Sequence, residues 1–576
     1  MSDSYTGADL FVDALERYGV PYLFGNPGTT ELPLMEALPD ADVEYVLGLH
    51  EDVAVGAAAG YAQTRRYHAD QNDGGGNDAE PTDWGDGRIN PAGVANLHVT
   101  PGLAHGIGNL YGASMTGAPL VLTAGNHELD FRHEEPILTG DLEQLTEQFC
   151  KWSAEVTDID ALPMMVRRAF RVALTPPTGP VFLALPVDVM MAETEASPEP
   201  LGPIPDAGTA DPRQVAAAAD ALVEAESPLL VVGDAVARSG IDAVEAAVDL
   251  AEASGARVHG EMLACEINFP TDHEQWISFL PPREELGSML QNTDTIVFAG
   301  CSTNTTLLRH EEPLVPPEAT TVHLSDDAWE VGKNEPSDVA AIGDPGRTMA
   351  AIAERVADRL DEETRRERVG QVTAMKESMA DTIESMGEDE SDDPRASKAE
   401  MVDAVRAVDA DPFIVDEGVT AKYAMLTRYE LEPQGYVSNK GGGLGYGLPA
   451  SVGAAFAEEL RDEPRPVLGH IGDGSYLYYP QSIYTAVRHG VDLTVLVPDN
   501  RNYRILKDNT NLMFGGDDED HEFIGMDFDP HVDIPANAES HGARGHLVED
   551  PDEIEGKVSD ALDSPGVDVL DVLVHD

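Results

Sequence analysis

The chain has 576 residues, of which 106 are Asp or Glu and 36 are Lys or Arg, so its formal net charge is −70. An apolar content of 42% supports a packed interior and argues against an acidic disordered protein. The length predicts about three domains. The charge excludes nucleic acid as a partner, because no basic face offsets the repulsion between carboxylates and phosphates.

Three features of the sequence bear on the compartment. Acidic residues are spread along the whole chain and Arg outnumbers Lys, which resembles the proteins of salt-loving archaea and implies a salt-filled cytoplasm. Neither a signal peptide nor an apolar run of membrane-spanning length is apparent. Cys150, Cys265 and Cys301 have the spacing of neither a zinc site nor a disulfide framework. We therefore expect a cytoplasmic protein whose thiols are reduced, buried apolar side chains.

The first third of the chain alternates helix and strand. Apolar spacing predicts a helix over 6–18 that ends at Gly19, an Ala-rich helix over 51–65 and another helix from about Gly102. Buried strands are predicted over 22–24, 43–49, 94–98 and 119–124. Residues 70–91, rich in Gly, Asp and Asn, predict an exposed, mobile insertion. Alternating strands and helices predict a parallel sheet that is covered on both faces.

Two further αβ regions follow a Pro-rich linker over 193–212. Strands of the second region are predicted over 229–232, 257–259, 295–299 and 321–324. A highly charged segment, 358–398, is expected to be helical at first and then flexible. We predict three doubly wound α/β domains with parallel sheets, over 1–190, 205–360 and 399–576.

The strongest chemical signal lies in the third region. A predicted strand over 467–471 ends in Gly472-Asp473-Gly474, a helix follows over 479–489, and the next strand, 493–497, leads to Asp499-Asn500. In a right-handed strand-helix-strand unit both strand ends lie at one edge of the sheet, so Asp473 and Asn500 should be neighbours. Gly472-Asp473-Gly474 alone, or Asp499-Asn500 alone, is most simply a turn. Together the two segments predict a site of hard oxygen ligands for Mg²⁺ and a diphosphate. The glycines and the following helix N-terminus favour close approach of phosphates.

The segment from Gly472 to Asn500 resembles the cofactor motif of the thiamine-diphosphate enzymes. In that family the metal is held by the motif Asp, the last motif Asn and the backbone carbonyl two residues later. The resemblance therefore implies Asp473, Asn500 and Asn502 as metal ligands. The family usually has two consecutive Asn, whereas this chain has Asp499 first, which adds a negative charge near the metal.

A second set of residues resembles the pyrimidine-binding domain of the same family. It comprises the loop Gly25-Asn26-Pro27-Gly28-Thr29 and the segment Leu47-Gly48-Leu49-His50-Glu51. By itself, a Glu in a first helical turn is usually a partner of the helix dipole. The resemblance implies instead that Glu51 hydrogen-bonds the pyrimidine ring, shares its proton and activates the cofactor. It also implies that Leu444 supports the ring and that the Gly442 carbonyl accepts the aminopyrimidine N–H.

Two histidines bear on the reaction. A lone His is more often a packing or surface residue, but Asn96-Leu97-His98 and Phe269-Pro270-Thr271-Asp272-His273 resemble the benzoylformate decarboxylases. The resemblance implies that His98 and His273 transfer protons and that the Thr29 hydroxyl holds the substrate carboxylate. His105 is a further pocket candidate. Leu506 keeps an apolar wall, but Asn509 stands where that group has an aromatic residue, so a polar or aliphatic 2-oxo acid is as consistent as an aromatic one.

We therefore predict non-oxidative decarboxylation of a 2-oxo acid with thiamine diphosphate and Mg²⁺. The alternative is carboligation as in acetolactate synthase, whose central domain often carries FAD; Gly233 and Gly300 follow strands but form no convincing flavin motif. A protein that binds the cofactor without chemistry is expected to lack the activating acid, and no GxGxxG supports a nicotinamide dehydrogenase. Since Glu51 and Asp473 meet across a subunit interface in the family, the resemblance implies a homodimer or homotetramer.

Overall fold

A computed structural model describes residues 5–73, 84, 88–283, 285–302, 305–387 and 393–576. The chain forms two compact units. The first comprises Met1–Ile204, Asp393–Tyr423 and Gly441–Asp576, and the second comprises Pro205–Asp392 and Ala424–Lys440. In the described part of the chain, no helix is long and apolar enough to cross a membrane.

Eighteen strands and twenty-two α-helices are described. The strands are β1 (Tyr22–Gly25), β2 (Glu44–Leu47), β3 (Gly93–His98), β4 (Leu120–Asn126), β5 (Ser153–Glu155), β6 (Val181–Pro186), β7 (Pro228–Val232), β8 (Arg257–Gly260), β9 (Trp276–Phe279), β10 (Thr295–Ala299), β11 (Thr320–Ser325), β12 (Val339–Ile342), β13 (Phe413–Glu417), β14 (Tyr436–Ser438), β15 (Val467–Ile471), β16 (Leu493–Asp499), β17 (Arg544–Val548) and β18 (Val567–Leu573). The helices are α1 (Gly7–Arg17), α2 (Leu32–Ala37), α3 (Glu51–Asp73), α4 (Val99–His105), α5 (Ile107–Thr116), α6 (Leu142–Thr146), α7 (Leu162–Leu174), α8 (Val187–Met191), α9 (Pro212–Glu224), α10 (Asp234–Arg238), α11 (Ile241–Ser254), α12 (Glu285–Met289), α13 (Pro345–Ala357), α14 (Glu362–Gly387), α15 (Lys398–Ala407), α16 (Lys422–Arg428), α17 (Gly447–Glu458), α18 (Asp473–Tyr476), α19 (Ser482–His489), α20 (Arg504–Phe514), α21 (Ile534–Ser540) and α22 (Ile554–Leu562). Short 3₁₀ helices lie at Thr29–Glu31, Leu38–Asp40, Arg132–Glu134, Ile159–Ala161 and Pro551–Glu553.

The first unit contains two parallel sheets. One has the strand order β2-β1-β3-β4-β6-β5, and the other includes β13-β15-β16-β18-β17 within this unit. Every pair in these series is parallel, and the strands are largely buried because helices cover both faces. The second unit contains the sheet β12-β11-β10-β7-β8-β9, which is also parallel. These sheets confirm the predicted doubly wound α/β class.

The structure differs from the prediction at the end of α3 and at Trp84. Helix α3 extends to Asp73, beyond the predicted end at 65, and Trp84 within the predicted insertion is buried, contrary to the expected exposure. The Trp84 indole donates to the Gly202 carbonyl at 3.0 Å and lies under the Arg88 guanidinium, which explains its burial. Residues 74–83 and 85–87 of the predicted insertion, and 388–392 of the predicted flexible end, lie outside the described residues.

Helices α3 and α17 join the two sheets of the first unit by a close backbone approach. A Cβ at Gly453 would lie 1.9 Å from the Ala57 carbonyl oxygen, and one at Gly60 would lie 2.3 Å from the Ala450 carbonyl oxygen. Only glycine permits such contact, because any side chain forces the helices apart. The start of α3, where Glu51 lies, is therefore fixed by this packing.

We expect Gly453→Ala to lower the free energy of unfolding by about 1–3 kcal/mol, because the added methyl overpacks the helix contact. Urea denaturation measures this change. Gly556→Ala in α22 is the matched control, since a Cβ there meets nothing within 4 Å; we expect it to be neutral or slightly stabilising. Equal stability of Gly453→Ala and the unmodified chain would contradict the packing described.

Candidate active site

The carboxyl edge of β13, β15 and β16 holds a cavity in the first unit. Its lining includes the predicted residues Leu444, Gly472, Asp473, Gly474, Asn500 and Asn502. Strands that run parallel and adjacent bring their following loops to the same edge, so residues far apart in sequence converge. The structure therefore brings together the residues predicted for the metal and the diphosphate.

Asp473 is buried at the first turn of α18 and shares a backbone donor with Asp499. The Arg501 N–H lies 2.8 Å from Asp473 Oδ2 and 2.9 Å from Asp499 Oδ1, and the Gly474 N–H donates to Asp473 Oδ1 at 2.8 Å. Arg501 has φ +61°, a strained conformation for a non-glycine residue. Burial, and secondly Asp499, raise the pKa of Asp473 to about 8. Two buried carboxylates this close favour a cation between them.

The amide groups of the next two site residues are held by the last residue of the chain. Asn500 Nδ2 donates to one carboxylate oxygen of Asp576 at 2.6 Å, and Asn502 Nδ2 donates to the other at 2.9 Å. Asn502 Oδ1 is buried and has no donor. This set of carboxylate and amide oxygens fits a hard cation such as Mg²⁺.

Two acidic residues near this edge escaped the sequence analysis. Asp576 holds the amides, and Asp571 in β18 has a buried Oδ1 without a partner. Burial, and secondly Asp499, raise the pKa of Asp571 to about 8. No sequence motif marks them, because the pairing of β18 with β16 that brings the end of β18 to the edge of Asp499 joins segments far apart in the chain.

The Gly-rich turn before α17 contributes the other predicted cofactor contacts. Gly442 is exposed with φ +71°, and Leu444 is partly buried and lines the same cavity as Asp473. Leu444 therefore lies at the same edge of the first unit as Asp473.

Glu51 begins α3 beside two histidines. Its Oε2 lies 3.1 Å from His105 Nδ1, and potential ligand atoms of His50, Glu51 and His105 all lie within 4.8 Å of one another. The His50 Nδ1 already accepts the Asp52 N–H at 3.0 Å. The His105 ring is therefore the hydrogen-bonding partner of the Glu51 carboxylate.

Asp52 is a buried neighbour that the sequence did not single out. Its carboxylate accepts the Tyr479 hydroxyl at 2.6 Å and the Asn109 N–H at 2.9 Å. Burial raises the pKa of Asp52. These bonds tie the start of α3 to α5 and to the loop before α19, and so position Glu51.

His98 ends β3, where a buried carboxylate holds its ring. His98 Nδ1 lies 2.8 Å from Glu31 Oε2 and 3.1 Å from the Thr30 hydroxyl. Glu31 is only 2% exposed and also accepts the backbone N–H groups of Gly28 and Gly125, each at 2.9 Å. The remaining ring nitrogen, Nε2, is left for chemistry. The sequence analysis missed Glu31, although an acid in the same loop as Thr29 was a signal.

The backbone around His98 is shaped to this ring. A Cβ at Gly28 would lie 2.2 Å from the imidazole, so only glycine leaves room for it. Val99, a β-branched residue, has φ +31°. Such strain costs about 1–3 kcal/mol and is typical of functional sites. Thr29 is exposed and lies in sequence between Gly28 and Thr30, which are both at this ring.

Three further predicted residues belong to other elements. His273 belongs to the second unit, where Nδ1 accepts the Gln275 N–H at 3.1 Å, Nε2 lies 3.5 Å from Glu252 Oε1 and the ring packs on Phe269. Leu506 and Asn509 lie on α20, and Leu506 is exposed.

The turns after β7 and β10, considered for a flavin, are filled by the chain itself. A Cβ at Gly233 would lie 2.5 Å from the Cys301 Cα, so the turns at Gly233 and Gly300 pack backbone against backbone. The buried ammonium of Lys440 donates to Glu261 Oε1 at 2.6 Å, and also to Asp234, at this edge. These residues do not fit a flavin diphosphate, because buried carboxylates repel it.

One expectation about the cysteines is wrong in part. Cys265 and Cys301 are buried, but Cys150 is only partly so. The Cys265 thiol donates to Asp234 Oδ2 at 3.1 Å, because the ionic cluster of Lys440 reaches it. Cys265 is therefore a polar partner and not simply an apolar side chain.

The raised pKa of Asp571 makes stability depend on pH. In the folded, metal-free chain this group keeps its proton up to about pH 8, whereas the unfolded group ionises near 4, so its contribution to stability is lost as pH rises from about 4 to about 8. Asp571→Asn cannot ionise. We expect the variant to gain about 4 kcal/mol over the unmodified chain between pH 5 and pH 8 in urea denaturation, at about 1.4 kcal/mol per pH unit. A constant difference would contradict the assignment.

Comparison with known proteins agrees with this geometry. Family models for the thiamine pyrophosphate enzymes match in three parts: the N-terminal TPP binding domain at residues 5–70, the central domain at 215–352 and the C-terminal TPP binding domain at 418–572. Benzoylformate decarboxylase of Pseudomonas aeruginosa is 30% identical over 96% of this chain and 95% of its own. A probable acetolactate synthase large subunit of Methanocaldococcus jannaschii is 24% identical over 99% of this chain and 92% of its own.

Solved structures give the same result. The thiamine diphosphate-dependent 4-hydroxybenzoylformate decarboxylase of Rhodococcus jostii RHA1 superposes with a TM-score of 0.81 at 27% identity, covering 99% of both chains. The three domain models together span more than half of the sequence, in the order of the three predicted regions. The chain belongs to the thiamine pyrophosphate enzyme family, and it is a thiamine-diphosphate-dependent enzyme.

Proposed function

We propose that the enzyme decarboxylates a small 2-oxo acid without oxidation, as the names of two of its relatives indicate for those proteins. The observation that carries the proposal is the imidazole of His98, held at Nδ1 by the buried carboxylate of Glu31 at 2.8 Å. A fixed ring with one nitrogen free is suited to deliver a proton to a reacting carbon. No phosphate or metal role explains such a group on β3.

The metal end of the proposal rests on the cavity at the carboxyl edge of β15 and β16. Asp473, Asn500 and Asn502 would hold Mg²⁺, and the backbone of Gly472 and Gly474 would approach the diphosphate. Supporting this assignment, Asp473, Asn500 and Asn502 line one cavity, and Asp576 fixes the amide nitrogens of both asparagines. A divalent cation also offsets the charge that Asp473 and Asp499 bring to this edge.

At the pyrimidine end of the cofactor, we assign the proton that activates the ring to Glu51. When bound, the cofactor supplies a carbon nucleophile and a sink for the electrons that decarboxylation releases. Glu51 would hold a proton at the pyrimidine ring, Leu444 would support the ring, and the Gly442 carbonyl would accept its amino group. His105, 3.1 Å from Glu51, would keep that carboxylate oriented until the ring arrives.

The substrate contacts follow from the loop before α2. The Thr29 hydroxyl would hold the substrate carboxylate, because Thr29 is exposed and its neighbour Thr30 contacts the His98 ring. His98 would protonate the carbon that loses CO₂, and His273 would serve proton transfer at product release. A polar or aliphatic side chain on the substrate suits the presence of Asn509 in α20.

Carboligation is the second candidate, because the archaeal relative is named a probable acetolactate synthase large subunit and aligns over nearly the whole chain. In this reaction a second 2-oxo acid would take the place of the proton that His98 delivers. The filled turns at Gly233 and Gly300 argue against FAD but not against carboligation. The products, aldehyde or acyloin, distinguish the two.

The setting of the enzyme is also a proposal. We infer a homodimer or homotetramer in which Glu51 and Asp473 of different subunits complete one site. The net charge of −70 favours a salt-rich cytoplasm, where ions screen the repulsion among carboxylates.

Substitutions at the two cofactor ends should separate binding from catalysis. We expect Asp473→Asn to abolish Mg²⁺-dependent binding of thiamine diphosphate, because one ligand charge is lost. Glu51→Gln should bind the cofactor but lose most turnover, since the amide cannot share a proton in the same way. Isothermal titration calorimetry and CO₂ release measure the two effects. Full turnover by Glu51→Gln would contradict the role proposed for Glu51.

Substitutions of the two histidines test proton transfer. We expect His98→Ala to lower kcat by about 10²-fold or more, which is the usual contribution of a positioned acid. His273→Ala should lower it less, and His133→Ala, at an exposed site, should leave it unchanged. Stopped assays of aldehyde formation measure kcat. If neither His98→Ala nor His273→Ala changes turnover, the proton-transfer assignment is wrong.

A further inference from the structure

A cavity of about 230 Å³ lies at the amino edge of the sheet in the second unit. The first residues of β7 and β8, Pro228 and Arg257, line it, together with Arg368, Val372 and Met375 of α14. This edge is opposite the carboxyl edge at which doubly wound sheets bind nucleotides. The cavity is therefore separate from the turns at Gly233 and Gly300.

Two buried guanidinium groups are the main feature of this cavity. Arg257 is 4% exposed and Arg368 is 3% exposed. Their terminal nitrogens donate to backbone carbonyls, for example Arg257 to Gln291 at 2.8 Å and Arg368 to Ser254 at 2.6 Å. The Nε atom of each is buried and meets no acceptor in the part of the chain that the structure describes. Among the described residues, no carboxylate lies within 4.0 Å of either group.

Backbone carbonyls account for the positions of these groups but not for their charge. Arg368 donates to carbonyls at the ends of α9 and α11, where the helix dipoles are negative. Carbonyl dipoles satisfy hydrogen bonds, yet a buried cation without a counter-ion still costs several kcal/mol. Burial accordingly lowers the pKa of both arginines. Asp294 and Asp361 offset the charge of Arg368 in part, from beyond ion-pair distance. Two arginines that line one cavity without a contacting carboxylate among the described residues leave room for an external anion.

The remaining walls indicate what kind of anion fits. Pro228, Val372 and Met375 present carbon surface to the same space. Because a water molecule takes about 30 Å³ in the liquid, the cavity has room for several heavy atoms beyond a single small ion. Inorganic phosphate leaves this apolar surface uncovered, whereas a short organic acid covers it.

We propose that this cavity binds a short-chain organic carboxylate, with its anionic group between Arg257 and Arg368 and its aliphatic part against Val372 and Met375. The site does not depend on the proposed decarboxylation. Its occupant joins the starts of β7 and β8 to α14, so binding stabilises the second unit.

The test uses the full chain loaded with Mg²⁺ and thiamine diphosphate, in KCl at constant ionic strength. The probes are isobutyrate, its neutral analogue isobutyramide, and inorganic phosphate, followed by calorimetry and thermal unfolding. We expect saturating isobutyrate to raise the Tm by about 2–4 °C, and isobutyramide to have no effect. Phosphate binding without isobutyrate binding, an equal effect of isobutyramide, or no binding at all would overturn the proposal.

Two variants locate the binding. Met375→Trp fills the cavity while both arginines remain, and we expect it to abolish the isobutyrate shift but to keep turnover. Met191→Trp, at an exposed methionine, is the matched control and should keep both. Arg257→Gln should weaken isobutyrate binding at least tenfold. An isobutyrate effect that persists in Met375→Trp would place the ligand in the active site and contradict the proposal, whatever reaction the enzyme catalyses.

Discussion

Buried negative charge at the carboxyl edge of β15, β16 and β18 is the constraint on which the rest of the first unit depends. Asp473 and Asp499 share one backbone donor, and burial, and secondly Asp499, raise the pKa of Asp571. Carboxylates this deep are stable only when protonated or when a cation offsets them. A bound cation would therefore allow full ionisation of this edge at neutral pH, beside the Arg501 guanidinium, whose Nε lies 3.7 Å from Asp499 Oδ2.

The carboxylate beside His98, at the end of β3, is stabilised in a different way. Glu31 is a buried carboxylate that is fully engaged, by two backbone donors, by Thr30 and by His98. It needs no cation, because hydrogen bonds stabilise its charge. One acid thus fixes an imidazole, while the acids of the other sheet lie at the edge where we propose the metal. The two sheets of the same unit use carboxylates for two physical purposes.

Much of the fold and part of the site follow from the sequence. Apolar runs that alternate with helical spacing identify the parallel sheets, and the topology of such sheets brings Asp473 and Asn500 to one edge. Glu31 was missed because a pattern of residue types does not show that a carboxylate is buried. Asp571 and Asp576 were missed because the pairing of β18 with β16 joins segments far apart in the chain. Cys265 was misjudged for the same reason, since its partner Asp234 is 31 residues away.

The central claim is non-oxidative decarboxylation, and analysis of the products tests it most directly. The full chain is incubated in molar KCl with Mg²⁺, thiamine diphosphate and a panel of aromatic, polar and aliphatic 2-oxo acids, and CO₂ and the organic product are quantified. The account predicts that at least one acid yields CO₂ and the corresponding aldehyde in equal amounts. Acyloin as the main product, or no CO₂ from any member of the panel, would contradict it.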